Sequence, residues 1–283
     1  MDVRPSPIAG TWYPGDAGTL TRTLSRYLAA AKAWTPPGKL WGLMVPHAGH
    51  SYSGPVAAYA YRSLQGVQPA LVVILSPMHQ AHHAPLLTTG HDAYQTPLGI
   101  VEVDGSALES LNLALRSRLG YGMTPIRYDA EHAIEIQLPF LQHCLSRFRL
   151  LPVMIRDQRS EVVHALGLAL AEVLQGRNCL LVASSDLSHF YPQKIACDFD
   201  TEMLRRLAAF DPQGVLAAEA EGAGFACGRG AVAAVLWAAE QLGANHVRIL
   251  RHATSGEVTG DYEAVVGYGA AVIWGDQNGE TGN

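Results

Sequence analysis

Four short motifs in this 283-residue chain carry side chains able to do chemistry. Three apolar runs lead into them. LMV (43–45) runs into Pro46-His47-Ala48-Gly49, LVVIL (71–75) into Ser76-Pro77-Met78-His79, and LLVA (180–183) into Ser184-Ser185-Asp186-Leu187-Ser188-His189. The fourth motif, Cys227-Gly228-Arg229-Gly230, precedes the apolar segment AVAAVLWAAEQL. Imidazole and thiolate ligate first-row transition metals, and a thiolate is also a nucleophile. In open α/β sheets the ligand crevice lies outside the carboxyl ends of the strands. Three imidazoles and one carboxylate are therefore expected on one sheet edge. Proline before or near each histidine ends the ladder there, because it has no N–H to donate.

Each residue also has a plainer reading. A single histidine at a strand end is usually a structural hydrogen-bonder; three such ends together favour a shared site. Asp186 and His189 are spaced to share one side of a helical turn. Asp186 then either fixes a histidine tautomer or caps the next helix. Cys227 stands at a helix N-terminus, where free N–H groups favour thiolate. Cys144, Cys179 and Cys197 read as small buried apolar residues. Glu131 and Glu135 are spaced to share a helix face, where they orient histidine ligands or simply face solvent. One histidine, His132, between them is too few for an HExxH zinc helix. His82 and His83 are candidates for the pocket mouth, and the remaining histidines have no supporting pattern. GxxxxGK[ST] and GxSxG are absent, which removes a P-loop and lowers serine-hydrolase chemistry.

The elements that must position these residues alternate between strand and helix. Leu20, Leu24 and Leu28 recur on one face of a helix over 16–33, which Asp16 can cap. Continuous apolar runs at 40–45, 70–77, 150–155 and 178–185 suit strands covered on both faces. Segments 84–89 and 99–104 are expected to pair around a turn. Helices are expected over 54–65, 107–119, 130–147, 159–175, about 193–222 and from Cys227 to about Leu242, followed by two closing strands. This is an α/β fold with a mainly parallel or mixed central sheet flanked by helices. No composition break marks a linker, so residues 1–275 read as one domain and 276–283 as a tail.

Apolar residues make up 48% of the chain and charged residues 16%, against roughly 25% charged in an average soluble protein. That composition excludes a disordered chain. A net charge of -5 without basic clusters argues against a nucleic-acid groove. No export signal or membrane span is evident, and the four cysteines show no CxxC spacing. A cytoplasmic protein with reduced thiols is the expectation.

Seven motifs in order resemble the Memo family, whose prokaryotic members are also called AmmeMemoRadiSam system protein B. They are GTWYP (10–14), PHAGHSYSG (46–54), SPMH (76–79), YQTPLG (94–99), EHAIEIQLPF (131–140), SSDLSHF (184–190) and ACGRG (226–230). The resemblance implies a fold similar to the LigB-like class III extradiol dioxygenases. It implies metal ligation by His47, His79 and Cys227, with His189 in the acid–base position and Asp186 beside it. A thiolate replaces the carboxylate of the dioxygenases, so the site is softer and its ligand oxidisable. Fe(II) is the expected ion, with copper or zinc as alternatives. The expected function is a metal-dependent redox enzyme acting on a small molecule or peptide. The alternatives are a non-catalytic metal-binding or protein-interaction module and, more weakly, a metal-dependent hydrolase. The family name implies association with AMMECR1-like and radical SAM proteins.

Overall fold

A computed structural model describes residues 1–276, so all but the first residue of the expected 276–283 tail lies outside the described residues. The first half of the chain runs β1 (Val3–Arg4), α1 (Ala17–Ala30), β2 (Lys39–Val45), α2 (His50–Tyr61), β3 (Leu71–Pro77), β4 (Leu86–Thr89), β5 (Ala93–Thr96), β6 (Gly99–Glu102), α3 (Gly105–Leu119) and β7 (Thr124–Ile126). The second half runs α4 (Leu138–Cys144), β8 (Arg149–Ile155), α5 (Ser160–Leu174), β9 (Cys179–Ser184), β10 (His189–Tyr191), α6 (Gln193–Ala208), α7 (Pro212–Ala217), α8 (Arg229–Gln241), β11 (His246–Thr254), α9 (Gly256–Thr259) and β12 (Val265–Gly275).

The main sheet is mixed, with strand order β10-β12-β2-β9-β3-β8-β4-β7 and β11 paired to β12. Its centre is parallel: β2 pairs β9, β9 pairs β3 and β3 pairs β8, all in the same direction. These central strands are the continuous apolar runs of the sequence. Both their faces are covered, so no polar alternation is needed. One face packs against α3, α5 and α8, with Leu111, Leu166, Val235 and Leu236 buried; the other packs against α1, α2 and α4, with Leu24, Ala58 and Phe140 buried. Among the described residues, no helix is long and apolar enough to cross a membrane.

Two expectations are corrected here. Segments 84–89 and 99–104 do not pair. β4 joins the main sheet, and β6 pairs instead with β5, closing on register Thr96↔Gly99 in a separate three-stranded sheet with β1. The two-residue Pro97-Leu98 turn is the tighter connection, and Gly99 adopts the positive φ of 122° that follows it. The helix expected over 130–147 is also shorter. Residues 130–134 are irregular, a 3-10 turn covers Glu135–Gln137, and α4 begins only at Leu138 with Pro139 in its first turn. Proline is accepted there because its missing N–H has no partner in a first helical turn.

Candidate metal centre

Because β2, β9 and β3 are parallel neighbours, their carboxyl ends open on one edge. His47 leaves β2, Asp186 and His189 leave β9, and His79 leaves β3 along that edge. Cys227 arrives from another direction, just before α8. Its N–H donates to the Asp186 carbonyl (3.3 Å), and the next N–H, of Gly228, donates to Ser185 Oγ (2.9 Å). A side chain at 228 is impossible without movement, since a Cβ there would lie 2.5 Å from the Ser184 carbonyl oxygen. Glycine thus lets the start of α8 dock against the end of β9.

The structure brings His47, His79 and Cys227 together, with one donor atom of each within 4.8 Å of the others. His47 Nε2 lies 3.2 Å from Cys227 Sγ. His47 Nδ1 lies 3.0 Å from Ser184 Oγ. That hydroxyl donates to the Ala133 carbonyl (2.7 Å) and accepts from Gln137 Nε2 (2.8 Å). Its one hydrogen is therefore used, so it accepts a second bond from His47 Nδ1–H. Nε2 is left as a lone pair facing the sulfur. Burial, with lesser help from the neighbouring His79, pushes the His47 pKa down to about 3 and keeps the ring neutral. His79 is exposed, and its Nδ1 bonds Glu131 Oε1 at 2.9 Å. Burial opposes its charge, but the Glu131 bond and carboxylate outweigh this and raise its pKa.

Cys227 departs from expectation. Burial, reinforced by the nearby Asp186 charge, pushes its pKa well up, so without a cation it is a thiol. The favourable helix terminus is outweighed because the partly buried sulfur has lost much of its contact with water. A metal ion reverses this balance by displacing the proton. One soft sulfur, two imidazole nitrogens and an outer hydrogen bond on each ring form a donor set that fits a transition metal.

Asp186 and His189 lie beside this cluster but are not bonded to each other. Asp186 Oδ1 accepts the His47 backbone N–H at 2.7 Å, and His189 Nδ1 donates to the Leu187 carbonyl at 2.8 Å. Asp186 neither fixes a ring tautomer nor caps the next helix, whose N-cap is Pro192. The reason is local: no helical turn forms over 186–189, and His189 instead enters β10. With its proton held on Nδ1, a neutral His189 offers Nε2 as an acceptor.

A cavity of about 430 Å³ opens over the cluster, walled by Trp12, Tyr52 and Val266 and floored by His132, Asp186 and His189. His132 is the residue that sequence reasoning missed. It packs between Trp12 (ring centroids 4.2 Å) and His79 (4.7 Å). The EHAIE motif marked its position, but reading that motif as a helix hid it. The same error placed Glu131 and Glu135 on one face. Glu131 instead lies in the irregular stretch beside His79, while the Glu135 side chain turns away to Arg4 (2.7 Å) and Tyr13 (2.7 Å). His82 and His83 stack on each other at 4.5 Å and are not among the residues lining the cavity.

Comparison with known proteins agrees with the motif order. The chain is 33% identical over 276 residues to a MEMO1 family protein of Nitrosopumilus maritimus, covering 95% of this chain and 98% of that one. It is 34% identical over 276 residues to one of Methanothermobacter thermautotrophicus, with 94% and 98% covered. Among solved structures, an uncharacterized protein of Escherichia coli K12 matches with a TM-score of 0.49 and 14% identity, over 84% of this chain and 100% of that one. The family model described as Memo-like protein matches residues 4–272, and the chain belongs to the Memo family.

Proposed function

We propose that this protein is a metal-dependent redox enzyme with Fe(II) as its resident ion, copper and zinc being the other ions its donors accept. One observation carries the reading: a sulfur and two imidazole donors converge within 4.8 Å beneath a cavity that holds two further histidines. His47 and His79 would hold the ion through Nε2, and Cys227 through Sγ. The ion would supply electron transfer and open positions for substrate or oxygen. The surrounding chain does the rest. His189 Nε2 accepts or returns a proton at the cavity floor. Asp186 fixes the His47 main chain, and Trp12 and Tyr52 form an apolar wall that displaces water from a bound substrate.

The test is metal content after anaerobic purification with Fe(II), beside oxygen uptake with a reductant and candidate phenols. The expected result is about one ion per chain, metal-dependent oxygen uptake, and loss of both in Cys227→Ala and His79→Ala. Unchanged metal content in both variants would overturn the site. Tight binding without turnover would overturn the enzymatic part and leave a metal-holding module. Turnover of an ester or amide with zinc alone would replace redox chemistry with hydrolysis.

A further inference from the structure

The irregular stretch before α4 places a second trio of potential ligands, His79, Glu131 and His132, with donor atoms also within 4.8 Å of one another. Its hydrogen bonds give it a different job. Glu131 is 2% exposed. Its Oε1 accepts from His79 Nδ1 (2.9 Å), His132 N (2.9 Å) and Ala133 N (3.0 Å), and its Oε2 accepts from His79 N (2.7 Å). Oε1 is the oxygen nearest both rings, and it already accepts three N–H donors against two lone pairs, while Oε2 accepts one. The oxygen that faces His79 and His132 therefore has no lone pair left for an ion. His132 cannot share an ion with His79 either. The two rings are nearly parallel, at 16° and 4.7 Å, so their in-plane lone pairs do not converge on one point.

We propose that Glu131 is a positioning residue for His79: it holds the proton on Nδ1, presents Nε2 to the metal, and is not itself a ligand. This rests on the metal-centre reading above. Two contacts to one residue, the main-chain N–H and the ring, set both the place and the rotation of the imidazole. The bond to Nδ1 is what sets the neutral tautomer. The grip is itself braced. Arg4 Nη2 donates to the carbonyls of Glu131 (2.7 Å) and Asp129 (3.2 Å) and to Asp129 Oδ1 (2.8 Å), while its Nη1 donates to Glu135. Arg4 is 1% exposed. The N-terminal strand therefore anchors the stretch that aims a ligand on a distant strand end.

The test has two arms. In the first, the metal-free protein is labelled with 15N-histidine and its His79 tautomer is read by NMR at alkaline pH, where the ring is neutral. His79→Gln identifies the signal. Nδ1–H is expected; Nε2–H, or an even mixture, overturns the proposal even if Glu131 variants do not fold. In the second arm Co(II) serves as the probe, with the thiolate-to-cobalt absorption band reporting Cys227. The parent is expected to take one Co(II) per chain. Glu131→Gln should weaken binding about 10–100-fold, with the thiolate band retained at saturation. His132→Phe should leave the stoichiometry at one. Unchanged affinity in Glu131→Gln, or two ions falling to one in His132→Phe, overturns the proposal. Absence of any Co(II) binding in the parent defeats the metal reading instead, and leaves the tautomer result standing.

Discussion

The two imidazoles of the centre begin from the same circumstance and end in different states. Each follows a buried parallel strand by two residues, yet His47 is 2% exposed and held by a neutral hydroxyl, while the His79 side chain is 35% exposed and held by a carboxylate. Burial drives the inner ring down to about 3. The outer ring is raised, and its partner Glu131, despite the burial that opposes ionisation, is brought to about 2 by the His79 bond and charge. The inner half of the site is thus part of the core, and the outer half is a polar device on its rim. Strand position alone does not set a histidine's chemistry; the group on its far nitrogen and its contact with water do.

The sharpest way to break this comparison is to remove each ring in turn. His47→Ala opens a space in the core and takes a partner from Ser184, so a loss of roughly 2–4 kcal/mol in folding stability is expected. His79→Ala leaves Glu131 three of its N–H donors and should cost about 1 kcal/mol. Both should lose the metal. Denaturant unfolding of the metal-free variants checks the difference, and equal losses would erase the distinction between core and rim.

A smaller effect comes from pH. His47 and His50 are both buried, and burial pushes their pKa values down to about 3 and about 4. The folded values lie below the ordinary 6.5, so acid protonates the unfolded chain first. Their contribution is complete above pH 6.5 and is lost as the pH falls toward 4. Lowering the pH of the metal-free protein from 7.5 to 5.5 should remove roughly 2–3 kcal/mol through these two rings; His132, also pushed down to about 4 by burial, adds to the loss, and the raised His79 opposes it. His50→Gln should flatten that slope by close to one proton, whereas His79→Ala should not. Unfolding midpoints at the two pH values test this.

The finest test sharpens the inner half alone. Ser184→Ala removes the hydroxyl shared by His47, Gln137 and Ala133, with an expected cost of about 1–2 kcal/mol. The His47 tautomer should become mixed while that of His79 does not change, which 15N spectra of both rings would show.

Where sequence reading succeeded and where it failed follows from the same physics. The central strands were legible as continuous apolar runs, and α1 as Leu20, Leu24 and Leu28 on one face behind an Asp16 cap that bonds Thr19 N. The gathering of His47, His79, Asp186 and His189 on one edge followed from strand direction. The segment around 131–137 was illegible, because its apolar spacing mimics a helix. The bonds of the Glu131 side chain to the N–H groups of His132 and Ala133 replace helical ones there. His132 was lost with it.

The amino-acid pattern by itself determined the α/β class and the residues that strand ends would carry, since periodicity and chain breaks are local properties. Only the tertiary structure decided that Cys227 completes the cluster as a partly buried thiol, that Asp186 serves a backbone N–H rather than a ring, and that Glu131 grips His79. Those outcomes depend on which groups, 52 to 180 residues apart, share a space with little water, where burial and a single hydrogen bond outweigh what any side chain prefers alone.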